Sequence, residues 1–371
     1  MVEKGGITME QLTAWINGLV QQLELPYLDI QVFQEYAPRY RYLTDPKAEN
    51  AFLQMYSMSK AATVVAAMGL VESGKLSLTD RIEKFFPAFR DTVYRSGEEI
   101  LPNPVPMTVK HLLTMTSGMS YDVRTPQILA VTKEKGQQAV LADYVDAFAQ
   151  TPLSFPCGRA FQYSLSHDLL AAVVEKVTGM PFAEYVEKTI FAPLEMESAT
   201  FRNVTEGVFP MYECDSAKQV YPAPVENGLL LSEGYTSGGA GMNCTLADYS
   251  KLVMALANGG IAHNGYRLLR PETVRTMAEP LLCHEFVRED FFWQGQDYGY
   301  GLGVRVRLRD TQWGLRKGEF GWDGAAGSFW LVDPERKVSI VMGMNILAWE
   351  NRYMGIHLQL VEQLYRKLFA E

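Results

Sequence analysis

The sequence predicts an α/β protein whose two chain ends build one domain around a mainly helical insertion. Strand-like segments concentrate near the N-terminus and in the last third, while helical spacing dominates the middle. The chain has 371 residues, a length that suits two domains or one large domain with another inserted. Its composition, 47% hydrophobic and 21% charged, is that of an ordinary globular protein. The expected boundaries are residues 1–76 and 232–371 for the α/β domain and 77–231 for the helical insertion.

Met9–Leu23 places Leu12, Trp15, Ile16, Leu19, Val20 and Leu23 at helical spacing and reads as a surface helix. Leu28–Phe33 and the Tyr- and Arg-rich Arg39–Leu43 read as strands. Ser57 then opens a long apolar helix to about Ser73, which Gly74 stops as a C′ glycine would. Between Leu76 and Leu231 the helical signals are Thr108–Met115, Leu141–Ala149, Ser166–Val177 and Phe182–Ile190, broken by loops containing Pro and Gly. Thr245 suits an N-cap, with Asp248 at the third helical position, Leu252 and Leu256 in the apolar stripe and Gly259–Gly260 as terminator. The alternation Val304-Arg305-Val306-Arg307-Leu308-Arg309 within Tyr300–Arg309 predicts a half-exposed strand. Phe329–Val332 and Lys337–Met344 read as two more, joined by the turn Asp333-Pro334-Glu335-Arg336. A helix over Tyr353–Phe369 ends the chain.

Charge and composition exclude several function classes. A formal net charge of −9 favours neither nucleic acid nor an anionic membrane as partner. No apolar run reaches the length of a membrane span, and the most apolar, Ala61–Val71, fits a buried helix. The N-terminus lacks the basic start and apolar core of a secretory signal, so a cytoplasmic protein is expected. Cys157, Cys214, Cys244 and Cys283 are scattered without a Cys-x-x-Cys pair and read as reduced structural thiols. The five histidines are equally dispersed, and neither a metal nor a cofactor is expected.

The chemistry is carried first by Ser57-Met58-Ser59-Lys60 at the head of the apolar helix. Residues i and i+3 share a helix face, so hydroxyl and amine can meet. The helix N-terminus favours negative charge near Ser57. A lysine pressed into an apolar helix loses hydration, which lowers its pKa and yields a neutral, basic amine. A serine hydroxyl needs such a partner to act as a nucleophile near neutral pH.

Tyr56-Ser57-Met58-Ser59-Lys60-Ala61, followed by Gly69-Leu70-Val71-Glu72-Ser73-Gly74-Lys75-Leu76-Ser77-Leu78-Thr79-Asp80, resembles the nucleophile segment of class C β-lactamases and their relatives. His111-Leu112-Leu113-Thr114-Met115-Thr116-Ser117-Gly118 resembles a second segment of that family, and Gly158–Gly179 with Phe161-Gln162-Tyr163-Ser164 a third. Gly238-Gly239-Ala240-Gly241-Met242 leading into Thr245 is also similar. The resemblance runs in order from about residue 50 to 345. It implies a β-lactamase/transpeptidase-like fold, an antiparallel sheet flanked by helices with the helical domain inserted. It also implies that Tyr163 partners Ser57 and Lys60. A phenol beside an ammonium can act as base and return the proton to the leaving group, and coupled groups share the titration. By the same resemblance the backbone N–H groups of Ser57 and Ala325 form the oxyanion hole.

Two places depart from the family. Leu165 stands where the family's Tyr-x-Asn has an asparagine for a substrate amide, and leucine cannot hydrogen-bond. Trp322-Asp323-Gly324 stands where the family has Lys-Thr-Gly or His-x-Gly, whose cation helps recognise a carboxylate. Trp322, Gly324 and Leu165 are therefore expected to face the substrate. Tyr-Ser-Leu paired with Trp-x-Gly is similar to the family VIII carboxylesterases, and to acyltransferases of the same fold. The expected substrate is a small-molecule ester, cleaved through an acyl-enzyme on Ser57. The alternatives are acyl transfer to an alcohol or amine, a β-lactamase or D-amino-acid peptidase, and a non-catalytic sensor. No Gly-x-Ser-x-Gly surrounds any serine, which leaves an α/β-hydrolase unsupported.

Overall fold

The computed structural model describes residues 8–283 and 297–369. Seven antiparallel strands form the main sheet in the order Ala37–Leu43, Asp29–Gln34, Val338–Gly343, Phe329–Asp333, Phe320–Asp323, Arg305–Arg307, Tyr298–Tyr300. The N-terminal hairpin thus pairs directly with the last third of the chain: Ile30 lies opposite Met342 and Val32 opposite Ile340.

Period-two alternation gives the sheet two apolar faces. Val338, Ile340 and Met342 pack with Leu12, Ile16, Leu360 and Leu364 from the helices Met9–Leu23 and Ile356–Leu368. Val341, Trp330 and Val332 face the other way, into the cluster that holds the helix Leu246–Ala257. Each fully buried aliphatic side chain contributes about 1.5–3 kcal/mol relative to exposure. Thr245 does cap Leu246–Ala257, its hydroxyl accepting from the Asp248 N–H at 3.3 Å. The Asp248 carboxylate turns instead to Ser198 and Lys251.

The helices Val109–Leu113, Leu141–Gln150, Ser166–Thr178 and Phe182–Val186 stand where helical spacing puts them. The same stretch also holds a helix at Pro126–Lys135 and two hairpins, Val93–Ser96 with Glu99–Pro102 and Met211–Cys214 with Val220–Ala223. The largest apolar cluster runs unbroken from these helices through Ser59–Glu72 into the sheet. Among the described residues no helix is long and apolar enough to cross a membrane.

One strand differs in its environment from the alternation reading. Arg305 and Arg307 are buried, not half-exposed. Arg305 pairs with Asp323 at 2.6 Å and Arg307 with Glu319 at 3.0 Å, and both guanidinium groups lie over the Tyr298 ring. Internal carboxylates supply the partners that the pattern assigned to water.

Candidate active site

Ser57 sits in a short turn, Tyr56–Met58, that runs into the helix Ser59–Glu72. Tyr56 has φ of 43°, a left-handed conformation that costs a non-glycine residue on the order of 1–3 kcal/mol. Surrounding contacts hold the turn in place. A short ladder between Phe52–Gln54 and Asn243–Thr245 leads into it, and the Met55 N–H donates to the Met242 carbonyl at 2.9 Å. The Met242 N–H donates to Ser59 Oγ at 2.9 Å, and the Tyr249 hydroxyl to the Met58 carbonyl at 2.8 Å.

Lys60 follows on the same face and is fully buried. Its Nζ lies 3.3 Å from Ser57 Oγ, 2.9 Å from the Tyr121 hydroxyl and 2.7 Å from the Gly239 carbonyl. Burial pushes its pKa down to about 7, against the opposing pull of the Asp168 carboxylate. At neutral pH the free amine is therefore accessible. Its two N–H groups can go to Gly239 and Tyr121, which leaves the lone pair for the Ser57 hydroxyl.

Tyr163 completes the group. Lys60 Nζ stands 4.4 Å from the centre of its ring, and its phenol oxygen hydrogen-bonds both Ser57 and Trp322. The Trp322 indole N–H donates to it at 3.0 Å. Burial raises the phenol's pKa, opposed by the hydrogen bonds from Ser57 and Trp322. Tyr121, Tyr163 and Trp322 form a tilted aromatic row with centroid spacings of 5.4 and 5.5 Å.

The strand Phe320–Asp323 ends beside the nucleophile turn. A Cβ on Gly324 would stand 2.9 Å from the Met55 carbonyl, so only glycine allows this approach. Ala325 follows at an exposed position, next to a tight turn closed by the Gly327 N–H on the Gly324 carbonyl. The His357 ring, buried against Phe329 and Trp349, contacts the Gly327 carbonyl at 2.7 Å. Burial lowers its pKa to about 3, so it is neutral, and the carbonyl requires that Nε2 carry the proton.

Ser57, Lys60, Tyr163 and Trp322 are thus brought together, and Gly324 adjoins them. Leu165 is placed differently, buried at the head of Ser166–Thr178 and lining a small cavity with Met119, Ser120, Phe148 and Leu153. Trp322 is buried too, and its one donor is engaged by Tyr163. Asp323, given no role in the sequence reading, anchors this strand end through Arg305.

Sequence reasoning gave no individual role to Tyr121, Asp168 or the Gly239 carbonyl. Tyr121 lies three residues beyond Gly118, the end of a recognisable segment, and that proximity was the available signal. Tyr235, Trp293, Tyr298 and Trp330 read from the sequence as core aromatics before pocket lining; Tyr235, Tyr298 and Trp330 are core residues, and Trp293 lies outside the described residues. The irregular segment 283–297, which the sequence suggests as a pocket-shaping loop, lies mostly outside them as well. Among the described residues no cluster of His, Cys, Asp or Glu is placed to hold a metal ion.

The family model described as beta-lactamase matches residues 41–362. Esterase EstB of Burkholderia gladioli is 26% identical over 360 residues, covering 87% of this chain and 84% of the relative. Lovastatin esterase of Penicillium rubens is 29% identical over 325 residues, 78% of each chain. Among solved structures, "EstCE1, a hydrolase with promiscuous acyltransferase activity" superposes with a TM-score of 0.76 at 23% identity, covering 95% of this chain and 98% of the other. That likeness shows the fold.

Proposed function

The chain belongs to the beta-lactamase family, and from that premise we propose that it is a serine hydrolase cleaving carboxylic esters through an acyl-enzyme on Ser57. The observation that carries the proposal is the convergence of Lys60 and Tyr163 on the Ser57 hydroxyl. The uncharged Trp322 stands in the sequence where the family has a carboxylate-recognising cation. EstB and lovastatin esterase are esterases by name, which supports the same reading.

The neutral Lys60 amine takes the Ser57 proton, since its pKa lies near 7 while that of Tyr163 is raised. Ser57 Oγ adds to the ester carbonyl carbon, and the oxyanion is held by the backbone N–H groups of Ser57 and Ala325. The proton passes by way of Tyr163 to the alkoxide oxygen. The carbon–oxygen bond breaks, alcohol departs and the acyl group stays on Ser57. Water then adds to the acyl carbon, gives its proton to the same pair, and the acid leaves as Ser57 is reprotonated.

Acyl transfer is the second reading, because an alcohol can replace water in the last step. It is favoured by the fold likeness to EstCE1, a hydrolase with promiscuous acyltransferase activity. Steady-state turnover of p-nitrophenyl butyrate and of nitrocefin by the same preparation tests the proposal. The ester is expected to be the better substrate by a wide margin in kcat/KM. A comparable efficiency on nitrocefin would reinstate the lactamase reading. Formation of a new ester when an alcohol is added, read by mass spectrometry, would establish transfer.

A further inference from the structure

The acyl-enzyme scheme leaves the buried carboxyl group nearest Lys60, that of Asp168, without a task. Asp168 is fully buried in the first turn of Ser166–Thr178, the helix packed on Ser59–Glu72. Its Oδ1 accepts the Tyr235 hydroxyl at 3.0 Å, while Oδ2 is buried without a hydrogen-bond partner among the described residues, beside Ser237 and Gly239. Gly239 lies between the two groups, and its carbonyl accepts from Lys60 at 2.7 Å. A Cβ at Gly239 would stand 2.7 Å from Asp168 Oδ2 and 3.3 Å from Lys60 Nζ. Carboxylate and amine thus face each other across the one residue type that leaves the space open.

We infer that Asp168 is the counter-ion of Lys60, a positioning residue that governs the protonation of the amine; this rests on the proposed Ser57–Lys60 chemistry. An amine taken wholly out of water and left without an opposite charge gives up its proton well below neutrality. A base that is deprotonated so easily accepts a proton from serine poorly, and efficiency is best when the base titrates near the working pH. Asp168 supplies the compensating charge.

The other groups facing the pair cannot replace it. Tyr121, Tyr163, Tyr235 and Tyr300 are held as neutral phenols by burial, and His167, the residue before Asp168 in the same turn, is held neutral by burial and by Lys60. Asp323 is committed to Arg305. Burial raises the pKa of Asp168, opposed by the nearby Lys60 charge and the hydrogen bond from the Tyr235 hydroxyl, which favour its ionised form.

The test is the pH dependence of Ser57 labelling by a fluorophosphonate probe, measured on the full chain as wild type, Asp168→Asn, Asp168→Glu and Tyr235→Phe. The probe reports serine reactivity whatever the natural substrate. Loss of the Asp168 charge lowers the proton affinity of Lys60, and the neutral amine is the reactive form. The acid limb of Asp168→Asn should therefore move to lower pH by about one unit or more, with a slower plateau. Asp168→Glu should bring the limb back towards wild type. Tyr235→Phe weakens ionisation of Asp168 and should move the limb the same way by less. An unmoved limb in Asp168→Asn, or equal displacement in Asp168→Glu, overturns the inference. If Asp168→Asn does not fold, an unmoved limb in Tyr235→Phe does so. Wild-type protein left unlabelled at Ser57 would instead sink the catalytic reading itself.

Discussion

Trp322 carries one polar hydrogen, and it points at the phenol oxygen of Tyr163 from 3.0 Å. An indole can only donate, so this contact favours negative charge on the phenol as its proton leaves for the alkoxide. Trp322→Phe keeps the ring packing against Tyr163 and Tyr300 but removes the donor. A hydrogen bond to a charged group is worth about 1.5–3 kcal/mol, so kcat should fall ~10- to 100-fold with KM little changed. Steady-state kinetics on p-nitrophenyl butyrate decides this. A raised KM at constant kcat would assign the indole to substrate binding, the role that sequence reasoning gave it. That reasoning found Trp322 because Trp322-Asp323-Gly324 stands where the family has Lys-Thr-Gly or His-x-Gly. The direction of its N–H depends on where Tyr163 arrives in three dimensions. Asp168 was hidden for a related reason: in sequence it is an ordinary first-turn acid, and only the approach of Gly239 shows what it faces.

The elements around the nucleophile act as a clamp. The turn Tyr56–Met58 is held on one side by Met242 and Tyr249, and on the other by the strand end at Gly324. A methyl group at Gly324 cannot be accommodated 2.9 Å from the Met55 carbonyl without shifting that strand end. Gly324→Ala should therefore displace the Ala325 N–H and lower kcat by on the order of 100-fold or more, the cost of losing an oxyanion donor. Its unfolding midpoint should change far less, which a thermal melt beside the kinetics would show. Wild-type kcat would mean that the Ala325 N–H lies outside the oxyanion site. The helices flanking this clamp were legible from 3.6-residue periodicity, Ser166–Thr178 and Leu246–Ala257 almost to the residue. The environment of Arg305–Arg307 was not, because alternation says which side chains share a face but not whether acids such as Asp323 and Glu319 wait there.

Across the whole molecule, the site forms where three parts of the chain meet. The first part brings Ser57 and Lys60, the middle brings Tyr121, Tyr163 and Asp168, and the last brings Gly239 and Trp322. Pairing of the N-terminal hairpin with Val338–Gly343 closes this arrangement, since it fixes the first part against the third. Segment order and motif spacing made the fold and the serine, lysine and tyrosine legible in the sequence. The lysine's other contacts, and the burial of Leu165, arise from packing between segments far apart in the chain. The central claim is that Ser57 carries the acyl group. Intact-protein and peptide mass spectrometry of acid-quenched mixtures with p-nitrophenyl butyrate, for wild type and Ser57→Ala, tests it most directly. Wild type should turn over and carry one butyryl group on the peptide containing Ser57, and Ser57→Ala should do neither. Undiminished turnover by Ser57→Ala, or an adduct on another residue, would contradict the account.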